Sequence, residues 1–248
     1  MKAQASGLRQ LALLDEAAGP EAWSVRASER ARRLAVRVLP GGLVEVVVPP
    51  GTRPRTVQRF VARHRRWIEH KVEQYRPLDA APADRLPEII RFAASGHAFR
   101  PRYAAGEGRL RMQLAGDELL VRGDIGRAAL VRHALQRFTM HVARAVLAPR
   151  LEQLSAATGL SYRQLQIRRQ RTRWGSCSRN GTISLNACLL FQAPEVVDYL
   201  LVHELAHTRH MNHSRRFWAL VARHEPRWRE LDAALMLGWR EVPAWALH

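Results

Sequence analysis

The chain has 248 residues, with 40 Lys plus Arg against 22 Asp plus Glu, a net charge of +18 and 47% apolar residues. That length and apolar share are enough for a buried core, and they exclude disorder as the dominant state. The charge permits contact with nucleic acid or another anionic surface but says nothing about fold. Only Lys2 and Lys71 are lysines, so nearly all of the excess is arginine.

The first residues hold one apolar run, Leu11–Leu14, closed by Asp15. It is too short for a signal-peptide core, and no stretch reaches membrane-spanning length. With two cysteines, Cys177 and Cys188, the chain has no disulfide framework. A cytoplasmic location without membrane contact is the simplest expectation.

In chain order, a short helix is expected over about Gly7–Ala18, so residues 1–19 form an N-terminal helical extension. Leu34, Val36 and Val38 alternate, Pro40-Gly41-Gly42 turns the chain, and Leu43–Val48 ends at Pro49-Pro50, which predicts a hairpin. Thr56–Tyr75 carries Val57, Phe60, Val61, Ile68 and Val72 near helical spacing, with arginines opposite. A Pro/Ala/Asp linker spans Pro77–Pro87, and short strand-like runs broken by glycines follow to Arg122. Residues 20–122 therefore form a β-rich part with one helix.

Asp124 is a plausible N-cap for a long helix, about Ile125–Ala157, which Pro149 should kink or divide. Tyr162–Arg171 is strand-like, and Asn180-Gly181 signals a two-residue hairpin turn. That turn pairs Cys177 with Ser184 and Arg173 with Cys188. The thiols then lie four residues apart along the strands, roughly 13 Å. No disulfide spans that. Pro194 opens a helix through Leu205, and Ser214 and Glu225-Pro226 start two more.

The Pro194 helix carries His203-Glu204-Leu205-Ala206-His207, an H-E-x-x-H. Residues four apart share a helix face, about 6 Å apart along the axis, so two imidazoles can converge on one Zn²⁺. Glu204 can take a proton from a water beside the ion. A third ligand is needed from His210, His213, His224 or Glu225. His210 continues the helix about 10.5 Å beyond His203, a poor angle for tetrahedral closure. His213 is better placed if Met211-Asn212 ends the helix, with Asn212 left-handed, and Ser214 caps the next one. Asp198 and Glu225 are possible partners for imidazole N–H groups.

The runs Arg173-Trp174-Gly175-Ser176-Cys177-Ser178 and Gly181-Thr182-Ile183-Ser184-Leu185-Asn186 precede Asp198-Tyr199, the H-E-x-x-H and Asn212-His213-Ser214, then Phe217-Trp218. Together they resemble the YgjP-like metallopeptidases, related to the SprT-like and WLM zinc peptidases. The resemblance is dense over about residues 173–221 and looser over most of 24–240. It implies an α+β, zincin-like metallopeptidase core at 123–248, one zinc ion on His203, His207 and His213, Glu204 as general base, and a peptide or protein substrate. It also implies that Thr182–Phe191, the strand before the metal helix, forms the cleft rim and pairs with extended substrate. Ser184, Asn186, Arg173 and Tyr199 are then substrate-site candidates, with Arg173 and Asn186 as possible oxyanion donors. Arginines cluster at Arg53, Arg55, Arg59, Arg63, Arg65 and Arg66, and again from Arg163 to Arg173. They support an alternative: a nucleic-acid-binding protein, or DNA-associated protease, whose metal site is vestigial or structural.

Overall fold

A computed structural model describes residues 23–78 and 85–247. The helix expected over Gly7–Ala18 lies outside the described residues. The chain forms two compact units that divide between Pro77 and Leu78, inside the expected linker.

In the first unit, β1 (Trp23–Ala27), β2 (Ala35–Val38) and β3 (Val44–Val48) form a sheet in the order β1-β3-β2. The expected hairpin is β2 with β3, antiparallel, while β1 runs parallel to β3. Gly41 and Gly42 both sit at positive φ, 86° and 79°, which is why the turn takes glycine. Alternation along β3 puts Val44, Val46 and Val48 on one face. That face packs on Val57, Ile68 and Val72 of helix α1 (Pro54–Tyr75). Pro54 presets the first helical turn, where its missing N–H costs nothing.

The second unit holds β4 (Ile90–Phe92), β5 (His97–Ala105), β6 (Arg111–Ala115) and β7 (Glu118–Gly123), ordered β4-β5-β7-β6. These strands belong with the helices that follow. Phe92 and Phe99 pack on Phe138 of helix α2 (Ala128–Thr158), and Phe92 meets Phe191 edge-on at 5.4 Å. Helix α2 starts later than expected. Ile125 N–H bonds Gly123 O, so the chain is still turning there, and Arg127 rather than Asp124 is the N-cap. Pro149 does not divide it, because Leu147 and Leu151 on either side are fully buried and their packing offsets one lost backbone bond.

A second sheet of this unit contains β8 (Gln164–Arg168), β9 (Gly175–Cys177) and β10 (Thr182–Asn186). Its order is β8-β10-β9, with β8 parallel and β9 antiparallel to β10. Two expectations change here. The hairpin register is shifted by one, so Cys177 faces Ile183 and Ser184 faces Ser176. The cause is a longer loop: Gly181 is left-handed, and Ser178 N–H bonds Thr182 O at 2.9 Å across three residues. The expected rim strand also ends at Asn186. Ala187–Phe191 is a buried 3₁₀ turn, and both edges of β10 are already paired. The free edges of this sheet belong to β8 and β9. Cys177 and Cys188 are free thiols.

Helices α3 (Pro194–Ala206), α4 (Arg215–His224) and α5 (Trp228–Leu237) follow, then a 3₁₀ turn at Gly238–Glu241 and the short helix α6 (Ala244–Leu247). Helix α3 stops at Ala206, well before Asn212, and no described non-glycine residue is left-handed. Ser214 caps α4 as expected, its hydroxyl accepting from Phe217 N–H.

Candidate active site

His203 and His207 stand one turn apart on α3, and His213 returns from the loop that leads to α4. The His203 Nε2 lies 3.2 Å from His207 Nε2 and 3.2 Å from His213 Nε2. One ligand atom from each of the three histidines lies within 4.8 Å of the others. A tetrahedron with metal–nitrogen bonds of about 2.0–2.1 Å has edges of about 3.3–3.4 Å, so this spacing fits an ion.

The far ring nitrogens explain why the near ones converge. The Tyr199 hydroxyl donates to Asp232 Oδ1 at 2.7 Å, which leaves its oxygen to accept from His203 Nδ1–H at 3.3 Å. His207 Nδ1–H donates to the His210 carbonyl at 3.1 Å. With both Nδ1 atoms protonated, both Nε2 atoms present lone pairs, and packed lone pairs repel unless a cation lies between them. Burial pushes the His203 imidazole down to about 3, helped by repulsion from His207 and His213. His207 is lowered by burial too, against the opposing pull of the His210 carbonyl. Neutral imidazoles are the metal-binding form. Phe217, fully buried, stacks on His207 with ring centres 4.5 Å apart, and Trp218 stacks on His213.

Glu204 follows His203 and is 4% exposed. Its Oε2 is buried and has no hydrogen-bond partner among the described residues. An orphaned carboxylate oxygen beside three converging imidazoles is what a metal site with a nearby proton acceptor requires. Strand β9 forms the wall next to it. A Cβ on Gly175 would lie 2.5 Å from Glu204 Oε1, so glycine is what lets the carboxylate lie against the strand. Burial pushes the Glu204 carboxyl up to about 8, while the Arg173 cation pulls it down. The Cys177 thiol, on the same strand, is raised to about 11, first by burial and then by Glu204.

The other predicted residues fall differently. Asn186 is fully buried, and its amide is used up: Nδ2 donates to Gln170 O and Arg173 O, and Oδ1 accepts from Cys188 N–H. It anchors the loop before β9 and has no donor left for substrate. Ser184 sits mid-strand on β10, flanked by β8 and β9. Asp198 pairs with Arg150 (Nε–Oδ1 2.6 Å), and Glu225 Oε1 accepts from Arg227 N–H, so neither orients an imidazole. His210 contributes its carbonyl rather than its ring. Asp232 was not legible: it lies on another helix, 29 positions after His203, and no spacing rule reaches it. Gly175 was findable in principle, since glycine inside a strand marks close backbone approach.

Replacing Tyr199 by Phe should weaken metal affinity about 10–100-fold, because His203 loses the partner that sets its tautomer. Competition against a chromogenic chelator measures this, and unchanged affinity would deny Tyr199 that role.

A family model described as the YgjP-like metallopeptidase domain matches residues 32–236. No curated protein matches. Among solved structures, the chain is similar to the metallopeptidase zymogen abylysin of Pyrococcus abyssi. Identity is 29%, coverage is 36% of this chain and 91% of that one, and the TM-score is 0.34. It is also similar to the zymogen jannalysin of Methanocaldococcus jannaschii, at 17% identity, 36% and 92% coverage and a TM-score of 0.33. No helix among the described residues is long and apolar enough to cross a membrane. With four-fifths of its length matched by that one model, this α+β chain belongs to the YgjP-like metallopeptidase family.

Proposed function

We propose that the protein is a zinc-dependent peptidase in which His203, His207 and His213 hold one zinc ion and Glu204 is the general base. The convergence of three imidazole Nε2 atoms beside a buried, unpartnered carboxylate carries this reading. Three histidines suit zinc among the common divalent ions, and they leave a fourth position for substrate or water. When bound, zinc would act as a Lewis acid on the scissile carbonyl and acidify the attacking water.

The chain's own groups do the rest. Glu204 Oε2 accepts the water proton and returns it to the leaving amine. Arg173 favours the ionised carboxylate that this task needs, and a bound dication would act in the same direction. Tyr199 and Asp232 hold His203 in its coordinating tautomer. An extended peptide would pair with β9, the free sheet edge beside Glu204, rather than with β10. The proposed core, residues 123–248, carries every group of this chemistry, and two free thiols fit a reducing, cytoplasmic setting.

The test is hydrolysis of an unstructured polypeptide by zinc-loaded protein, with new termini identified by mass spectrometry. Cleavage should stop with a zinc chelator and return when zinc is restored. Cleavage that persists in chelator would sink the reading.

A further inference from the structure

The first unit carries charge far out of proportion to its size. Residues 23–77 hold thirteen Arg and Lys against four Glu, a net of +9, half the excess of the whole chain. Helix α1 organises much of it. Its apolar side, Val57, Ile68 and Val72, is buried against the sheet. At 100° per residue, Arg55, Arg59, Arg63 and Arg66 share the opposite side, and all four are exposed. They span about 16 Å of helix axis.

These arginines have no counter-charge among the described residues. Arg65 pairs with Glu69 and Arg76 with Glu73, but Arg55, Arg59, Arg63 and Arg66 make no ion pair or hydrogen bond among the described residues. The first turn of α1 has no acidic residue and no side-chain cap. Arg53 and Arg55 thus crowd the positive end of the helix dipole, and Arg55, Arg59 and Arg63 repel at four-residue spacing. Both arrangements weaken a helix. Arg30, Arg32 and Arg33 add further positive charge to the same unit. They lie exposed on the loop before Leu34, which packs into the cluster containing Val57 and Phe60. Trp67, 45% exposed, stands next to Arg66.

We propose that this face of α1 docks on the phosphate backbone of nucleic acid, without sequence preference. Guanidinium groups match phosphate oxygens two at a time. Duplex DNA presents one phosphate per about 3.4 Å of axis on each strand, so a stripe of about 16 Å runs past on the order of five evenly spaced phosphates of one strand. Trp67 offers a flat face for a base or sugar. A membrane surface fits less well, because the apolar side of α1 is spent on the sheet and cannot enter a bilayer. The surface lies wholly within residues 23–77 and does not depend on the peptidase reading.

The test uses the full chain and a fluorescent random-sequence 20-base-pair DNA duplex, read by anisotropy. Four phosphate contacts predict a log–log salt slope of about −3.6, a loss of about 10²-fold in affinity between 50 and 200 mM salt. Arg59→Glu, Arg63→Glu and Arg66→Glu together should weaken binding at least about 10-fold at 50 mM and flatten the slope by about three. A control reversal of equal charge, Arg109→Glu with Arg111→Glu and Arg137→Glu, should retain most of the affinity. The proposal is overturned by no duplex binding at 50 mM salt, by equal loss in the control, or by phosphatidylserine vesicles or polyglutamate competing as well as unlabelled duplex.

Discussion

Zinc-loaded Glu204→Gln should keep one ion per chain and lose peptidase turnover by about 10²–10⁴-fold, the usual range for removing a general base. Glutamine keeps the shape of the side chain and removes the proton acceptor, while the three imidazoles are untouched. Metal content and kcat measured on one preparation separate the two effects. Retained turnover would remove Glu204 from the chemistry, and lost zinc would make it structural. The metal-free protein offers an independent check. Burial raises the Glu204 carboxyl to about 8 from an ordinary value of 4.5, so between those values the native state holds a proton that the unfolded state has released. Stability from this group is therefore present below about pH 4.5 and is lost as pH rises through 8. Metal-free Glu204→Gln should escape that loss, gaining about 2–4 kcal/mol on wild type between pH 5 and pH 8 by urea unfolding.

Gly175→Ala should be nearly as damaging, although Gly175 carries no reactive group. The added methyl would lie 2.5 Å from Glu204 Oε1 and 2.9 Å from its Cδ and Cγ, closer than real Cβ contacts come. Glycine here is not in the left-handed region, so the backbone tolerates alanine and the conflict is with the carboxylate. Either Glu204 swings away or β9 moves outward, taking with it the edge proposed to hold substrate. A loss of kcat/KM of about 10²-fold, with zinc retained and stability lowered by about 1–3 kcal/mol, is expected. Full activity would show that the close approach is dispensable.

The contrast between these residues and the corrected ones shows what a sequence can carry. His203 and His207 were legible because a helix converts a spacing of four into a shared face, a local rule. His213 was reachable because a turn capped by Ser214 brings the chain back within a few residues, although the helix ended at Ala206 rather than at Asn212. Several misplaced features depend on distant partners, whereas the hairpin register follows from its own longer loop. Nothing near β10 announces that β8 pairs with it in parallel, which turns an expected rim into a central strand. Asn186 reads as a donor near the cleft until its contacts with Gln170, Arg173 and Cys188 are seen. Asp232 reaches His203 only through Tyr199 and the packing of α5 on α3. Pro149 reads as a breaker because its local cost is known and the burial of Leu147 and Leu151 is not.

The most direct test of the metal-centre assignment is zinc stoichiometry combined with X-ray absorption at the zinc edge, on wild type and on His213→Ala. One zinc per chain, with three nitrogen neighbours at about 2.0–2.1 Å that fall to two in the variant, is the predicted result. A chain that binds no stoichiometric zinc, sulfur in the coordination shell, or a spectrum unchanged by His213→Ala would contradict it.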